Sequence, residues 1–380
     1  MKKKYIILSI ITLVLLIAFV TSFNYFKTSN NYVEDSVNNQ TKITKGISMN
    51  LEQTAGAGDY KIVTQSNWPG DDYTFNAELS KCENGSTLSW NNTKNVVVFS
   101  GNVSDKCYVY FDIYQPTLAE YIKSQYTGTQ GENNIYYHDS SLANGAGDNS
   151  YRYAGASDSV NNYICLGSDA TTCPDANLFR IIGVFGNQTK VIRAKSVGYQ
   201  QWHTSADNTW SSSSLNAYLN GTYLTSLGTI AEKIATTTWK VGGGSGSNIS
   251  ASVPATAYKN EVGSSASTTI IDKKIGLMYV SDYGFAASPS AWTKILGDYD
   301  GTDANGTSIK TINWMYMGYN EWTISRNSDI SDFAFFVNYF GLVYYNNVIN
   351  YIGVRPSFNL ESSVKYVSGS GSMSDPVRVN

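Results

Sequence analysis

The sequence predicts an α+β protein in three parts: an N-terminal transmembrane helix, a small all-β domain, and a larger C-terminal domain of short strands mixed with short helices. Three observations predict it. A long uncharged apolar run follows three lysines at the start of the chain. Alternating apolar stretches then recur between turn clusters over residues 46–115. From Leu178 onward, β-runs are interspersed with helical segments that begin at capping residues.

Residues 1–27 carry Lys2, Lys3 and Lys4 ahead of Tyr5 to Phe26, a run long enough to cross roughly 30 Å of hydrocarbon as a helix. The lysines stay inside, so the rest of the chain is exported. The segment reads as a signal anchor or a signal peptide; Val20-Thr21-Ser22 is a poor cleavage site, which favours the anchor. Residues 28–45 are polar and aperiodic and read as a stalk. The expected location is therefore the cell membrane, single-pass, with the bulk outside.

Residues 46–115 form the small β-sandwich domain. Asp59 to Val63, Tyr73 to Glu78, Asn95 to Ser100 and Cys107 to Tyr114 alternate, with turns such as Pro69-Gly70-Asp71-Asp72 between them. Cys82 with Cys107 and Cys165 with Cys173 form two sequence-local pairs at which an oxidising exterior permits disulfides, with free buried thiols as the alternative. Neither pair has the C-x-x-C spacing of a zinc site. Residues 116–149 are a linker and entry segment that opens with a short helix bearing Leu118, Tyr121 and Ile122.

The C-terminal domain spans 150–366. Leu178 to Phe185 is a strand, Gly186-Asn187 a turn, and Thr189 to Ala194 the partner strand. Ser211 to Ser213 cap a helix carrying Leu215, Tyr218 and Leu219, which Asn220-Gly221 ends. A second helix is expected over Ile230 to Ala235, reaching Trp239. Residues 242–268 read as a long surface loop and Lys274 to Asp282 as a strand. Trp314 to Trp322, Ala334 to Val337, Gly341 to Tyr345 and Tyr351 to Leu360 read as short aromatic strands. Residues 367–380 read as a tail.

Composition excludes several functions. A net charge of -3 offers no basic excess for nucleic acid. His138 and His203 are the only histidines, too few for a His-rich metal centre. No G-x-S-x-G occurs, and nothing marks a partner for His203. Asp298 to Asp303 alternates like a calcium loop but lacks the terminal Glu. Gly242 to Gly246 has no Lys-Ser/Thr behind it and is not a phosphate loop. No catalytic or metal constellation and no cofactor is read from the chain. Arg355 lies in an apolar stretch where a charge needs a partner, and Asp282 and Glu321 are the candidates.

The most informative segment is Asn327 to Asn359, where aromatic residues adjoin Asn without strict alternation. Rings of this kind give contact area at low entropic cost, and amides adapt their hydrogen bonds. Phe333, Phe336, Tyr339, Phe340, Leu342, Tyr344, Tyr345, Asn347, Ile349, Tyr351 and Ile352 are the candidate ligand-binding positions. A Tyr-rich sheet core is the competing reading, since Phe and Tyr favour strands.

The order Leu178-Phe179-Arg180-Ile181-Ile182-Gly183, Leu215 to Asn220, Ile275 to Tyr283, Trp322 to Arg326 and Gly353-Val354-Arg355-Pro356-Ser357 resembles an exported domain family of gut Firmicutes. That family belongs with the C-type-lectin-like folds, on the branch of the formylglycine-generating enzymes. The resemblance implies a C-type-lectin-like domain over roughly residues 150–366. The enzymes' late cysteine pair is missing, because no Cys follows Cys173, and so are the E-P-N, Q-P-D and W-N-D calcium motifs of sugar-binding lectins. The segment also resembles the variable region of diversity-generating retroelement proteins, in which adenine mutagenesis of Asn codons cannot yield Lys, Glu, Gln, Met or Trp. Those five types are absent from Asn327 through Leu360. The expected function is a cell-surface ligand-binding or adhesion protein whose aromatic and Asn-rich face, hypervariable in the retroelement reading, takes an extracellular protein or glycan. An exported enzyme-like or degenerate formylglycine-generating-type protein and a structural envelope protein are the alternatives.

Overall fold

The computed structural model describes residues 46–63, 69–70, 72–91, 93–94, 96–263 and 269–380. The expected anchor and stalk, 1–45, lie outside the described residues. No helix among the described residues is long and apolar enough to cross a membrane. The chain is α+β and divides into two compact units, one ending at Gln115 and one spanning Pro116–Asn380.

The first unit contains β1 (Gly46–Glu52), β2 (Tyr60–Ile62), β3 (Tyr73–Cys82), β4 (Thr87–Asn91), β5 (Val96–Ser100) and β6 (Lys106–Ile113). Four strands form a sheet in the order β2-β1-β6-β3, and β4 pairs with β5 as a hairpin. The central strand β6 shows clean alternation: Cys107, Val109 and Phe111 are buried and their neighbours are less so. Trp90 of the hairpin meets Phe111 edge-on at 5.4 Å, so the hairpin covers one face of the sheet. Cys82 and Cys107 stand opposite each other on β3 and β6 and are bonded. The strand β1, parallel to β6, was not expected from the sequence.

The second unit opens with α1 (Leu118–Ser124), whose Thr117 and Glu120 form a reciprocal capping box. Leu118 and Ile122 enter the main core, so 116–149 is part of this unit. Then come β7 (Ile135–His138), β8 (Ser150–Tyr153), β9 (Tyr163–Cys165), β10 (Leu178–Phe185), β11 (Gln188–Arg193) and β12 (Tyr199–Gln201). β10 is buried almost throughout because β11, β9 and β8 all pair with it. At Gly183 the strand bulges, and a Cβ there would lie 2.2 Å from the Tyr151 carbonyl. Only glycine lets β8 approach that closely. Cys165 and Cys173 are bonded.

The chain continues through α2 (Ser214–Tyr218), β13 (Thr237–Lys240), α3 (Gly246–Ile249), α4 (Pro254–Glu261), β14 (Ile270–Lys273), β15 (Ile275–Gly276) and α5 (Val280–Ala286). It ends with β16 (Glu321–Arg326), β17 (Phe333–Val337), β18 (Val343–Asn347), β19 (Tyr351–Gly353), β20 (Ser357–Asn359), β21 (Tyr366–Ser368) and β22 (Val377–Val379). One sheet runs β15-β20-β11-β10-β9-β22-β21, and a second runs β12-β19-β16-β17-β18. The core holds six fully buried tryptophans, 202, 210, 239, 292, 314 and 322. Five of them donate their indole N–H to a backbone carbonyl: those of Thr323, Lys273, Ala287, Tyr153 and Gln200. A large ring is thereby buried without stranding its polar atom.

Several segments depart from the expected elements. The helix of α2 does not stop at Asn220-Gly221 but continues through a π turn, Leu219–Tyr223, to Ser226. Asn220 instead uses its amide on the backbone N–H and carbonyl of Ile275. The helix expected over Ile230 to Ala235 is a 3-10 helix, Gly228–Lys233, and does not reach Trp239, which lies on β13. Of the loop expected over 242–268, residues 264–268 lie outside the described residues, and the rest is not simply a loop: α3 and α4 bury Ile249, Ala257 and Glu261. Lys274–Asp282 splits into the short β15 and the start of α5, whose first turn is held by the Asp282 carboxylate accepting the Tyr279 N–H at 2.8 Å. Trp314 to Trp322 is mostly turn, with β16 starting at Glu321. The expected tail supplies β22, which pairs in parallel with β9 and buries Val377.

Candidate functional site

The aromatic segment occupies β17, β18 and β19 with their turns. β17 is covered on both sides, and Ala334, Phe335, Phe336 and Val337 are all buried. Phe336 packs edge-on against Trp322 of the neighbouring strand at 6.1 Å. Ile352 on β19 is likewise buried. These two candidates are placed in the core, because their strands are sandwiched rather than half-solvated.

The other rings emerge at the sheet edge and at two turns. Tyr339, Phe340, Tyr344, Ile349 and Tyr351 are between 41% and 67% exposed. Tyr339 and Phe340 lie together at the 338–341 turn, with centroids 3.9 Å apart. β18 is the edge strand, where Tyr344 stacks on Tyr345 at 4.6 Å. Tyr345 is half-buried and also touches Phe333 and Phe335, so it anchors Tyr344 to the core. Phe333, Leu342 and Asn347 are half-buried. Tyr351 stands across the sheet on β19.

The asparagines do a different job from the one expected. Asn338 Oδ1 accepts the N–H groups of Phe340 and Leu342. Asn347 donates to Asp332 and accepts from the Ile349 N–H. Asn346 Oδ1 accepts from the Asn347 N–H and the Asn350 amide. Asn320 accepts the Tyr339 N–H, and Tyr316 Oη donates to the Tyr339 carbonyl at 2.7 Å. These amides close Asx-type turns and hold the rings in place. The backbone of these turns is thereby fixed by the side chains of the segment itself.

One ring was missed by sequence reasoning. Tyr199 is 59% exposed on β12, with Tyr199 opposite Gly353 and Gln201 opposite Tyr351. Tyr199 and Tyr351 therefore share one face as diagonal neighbours, within reach of long side chains. Pairing between strands far apart in sequence creates this locus, and no local pattern reveals it.

The closing Gly353-Val354-Arg355-Pro356-Ser357 is structural. A Cβ on Gly353 would press on the Tyr319 ring at 3.1 Å and the Asn320 carbonyl at 2.8 Å. Arg355 binds Glu321, one of its two expected partners. Ser357 Oγ donates to the Val191 carbonyl. The other expected partner, Asp282, instead takes Lys190 at 2.5 Å and Arg152 at 3.5 Å.

The remaining titratable groups show structural partners. His138 is fully buried, accepts the Ala146 N–H at Nδ1, and packs on Phe285 and Trp292. Burial, with Arg152 nearby, pushes its imidazole down to about 3, so it stays neutral. His203 accepts the Ser205 N–H at Nδ1. Arg180 spends its guanidinium on Asn162, Ser157 and the carbonyls of Trp314 and Val160. Cys82, Asp105 and Cys107 cluster like metal ligands, but both sulfurs are in the disulfide and the carboxylate accepts from Asn84, Ser86 and Lys106.

Residues 186–362 match a family model described as Domain of unknown function (DUF6273). The match runs from the β10–β11 turn to just past β20, so it includes the whole five-stranded sheet and all of its aromatic turns. No curated protein and no solved structure matches the chain.

Proposed function

We propose that the C-terminal unit is a ligand-binding module of C-type-lectin-like architecture, shown outside the cell from an N-terminal membrane segment. Its exposed rings take an extracellular protein or glycan. One observation carries the reading: Tyr339, Phe340, Tyr344, Ile349 and Tyr351 are solvent-facing on a unit that buries every one of its tryptophans. Large rings held in water by a hydrogen-bonded turn cost solvation without contributing to the core, and contact with a partner offsets that cost. Tyr199 extends the Tyr351 locus. Tyrosines suit either partner, since the ring stacks on an apolar or sugar face and the hydroxyl reaches a polar rim. In this reading the same positions are the ones diversified in sequence, because turn amides fix the backbone while exposed side chains change without disturbing the core.

The test is a glycan array and a panel of cell-surface proteins probed with the full chain and with a variant carrying Tyr344→Ala and Tyr351→Ala. The reading expects specific capture by the parent chain and its loss in the variant. Equal capture by both proteins would remove the aromatic surface from consideration.

A further inference from the structure

A second candidate site lies away from the exposed rings, in a cavity of about 170 Å³ between β8, β11, β13, α4 and the start of α5. Three cations line it: Arg152, Lys190 and Lys240. Asp282 is the one carboxylate among its lining residues, and it already serves both Lys190 and Arg152. Asp148, outside the lining, also pairs with Arg152, at 2.6 Å, so three cations face two carboxylates and the wall keeps a positive excess.

The polar groups are also incompletely used. Arg152 is 1% exposed; its Nε and Nη2 bond Ser150 and Asp148, but among the described residues Nη1 has no hydrogen-bond partner and only the 3.5 Å approach to Asp282. Lys240, half-buried, donates from Nζ to the carbonyls of Val262 and Gly263, two of the three bonds an ammonium offers. Asn359 donates to Thr237, while its Oδ1 has no donor among the described residues. A buried donor or acceptor left in the position of Arg152 Nη1 or Asn359 Oδ1 is costly.

Phe185, Trp239, Tyr258 and Tyr279 supply the remaining wall. Rings on several sides exclude a hydrated inorganic ion and suit a flat apolar body. The volume is close to that of an engineered apolar cavity of about 150 Å³ that takes benzene. Thr238, at the mouth, is exposed to solvent.

The geometry points to a binding site for a small organic carboxylate. Its anionic group meets Arg152 Nη1 and the Lys240 ammonium, its apolar body lies among the rings, and a donor on that body faces Asn359 Oδ1. This site is independent of the exposed aromatic surface and of the function proposed for it.

Benzoate is the probe and benzamide its neutral isostere, each titrated into the full chain by calorimetry. The expected result is saturable one-site binding of benzoate, with benzamide weaker by about tenfold or more, the worth of a charge-assisted hydrogen bond. Arg152→Gln should abolish it. Because Arg152 also holds Asp148, Thr238→Trp provides a variant that closes the mouth from an exposed strand position, and it should lose benzoate with an unchanged melting temperature. A Tyr344→Ala, Tyr351→Ala protein should bind benzoate like the parent. Failure of both benzoate and hexanoate to saturate, equal affinity for benzamide, or undiminished binding by a folded Thr238→Trp variant overturns the site.

Discussion

Arg355 and Glu321 meet through two hydrogen bonds, Nε to Oε1 at 2.5 Å and Nη2 to Oε2 at 2.9 Å, and both side chains are buried. Burial alone would lower the guanidinium's pKa, but the carboxylate opposite outweighs it and holds Arg355 above its ordinary value. Arg355 Nη2 also reaches the Met315 carbonyl, so the pair ties β16 to the segment before it and to the chain after β19. Glu321→Leu leaves that cation unpaired in the core and should lower stability by about 3–5 kcal/mol. Adding Arg355→Met to the same protein should recover most of the loss, since an apolar pair of similar volume needs no solvation. Urea denaturation of the parent, single and double variants measures both effects.

The buried and exposed members of the aromatic segment should separate cleanly. Phe336→Ala removes a ring packed on Trp322 and should cost about 3–5 kcal/mol. Tyr351→Ala, at 67% exposure, should change stability by no more than about 0.5 kcal/mol. Thermal melts give the first comparison and ligand capture the second. A Tyr351 variant that melted as early as the Phe336 variant would place the ring in the core after all.

How much was legible follows from where each signal lay. β10 and β11 stand out as a continuous apolar run, a Gly-Asn turn and a return strand. The Arg355 pairing was readable as a charge in an apolar stretch, and the disulfides as two local pairs. α4 was hidden because its buried face is carried by Ala257 and Glu261, neither of which reads as apolar bulk. α5 was mistaken for strand because every residue in it is buried, so no period distinguishes helix from sheet. Phe336 and Ile352 looked like surface for a related reason: alternation fails where a strand is covered on both sides. Tyr199 needed strand pairing across more than a hundred residues of sequence, which no local pattern encodes.

The two disulfides should differ in what they protect. Cys82–Cys107 closes a separation of 25 residues and Cys165–Cys173 one of 8. Loop-closure entropy assigns them about 3.5 and about 2.5 kcal/mol. The first also staples a unit whose buried apolar cluster, among the described residues, is Met49, Leu51, Val109 and Phe111 with partly buried neighbours. Reduction should therefore open residues 46–115 first. Limited proteolysis with mass spectrometry should find early cuts there, with the C-terminal unit still protected; early cuts spread over Pro116–Asn380 would contradict the assignment.

Glu261 gives the chain a pH signature opposite to that of His138. Its carboxyl accepts the N–H groups of Val280 and Ser281 at the start of α5 and the Ser325 hydroxyl. Burial nonetheless outweighs these bonds and raises its pKa from 4.5 to about 7. The folded state therefore holds a proton that the unfolded chain has released between those values. The resulting stability is complete below pH 4.5 and is lost as pH rises through about 7, by about 3 kcal/mol in all. His138 works the other way, since its lowered pKa makes folding less favourable as pH falls below 6.5. The two slopes partly cancel between pH 4.5 and 6.5 in the parent protein. Comparing parent with Glu261→Gln removes the histidine from the difference. The expected outcome is a variant whose stability, relative to the parent, improves steadily from pH 4.5 to 7.5. A difference that stays constant over that range would mean the Glu261 carboxyl is ionised throughout, with its helix-end donors outweighing the burial.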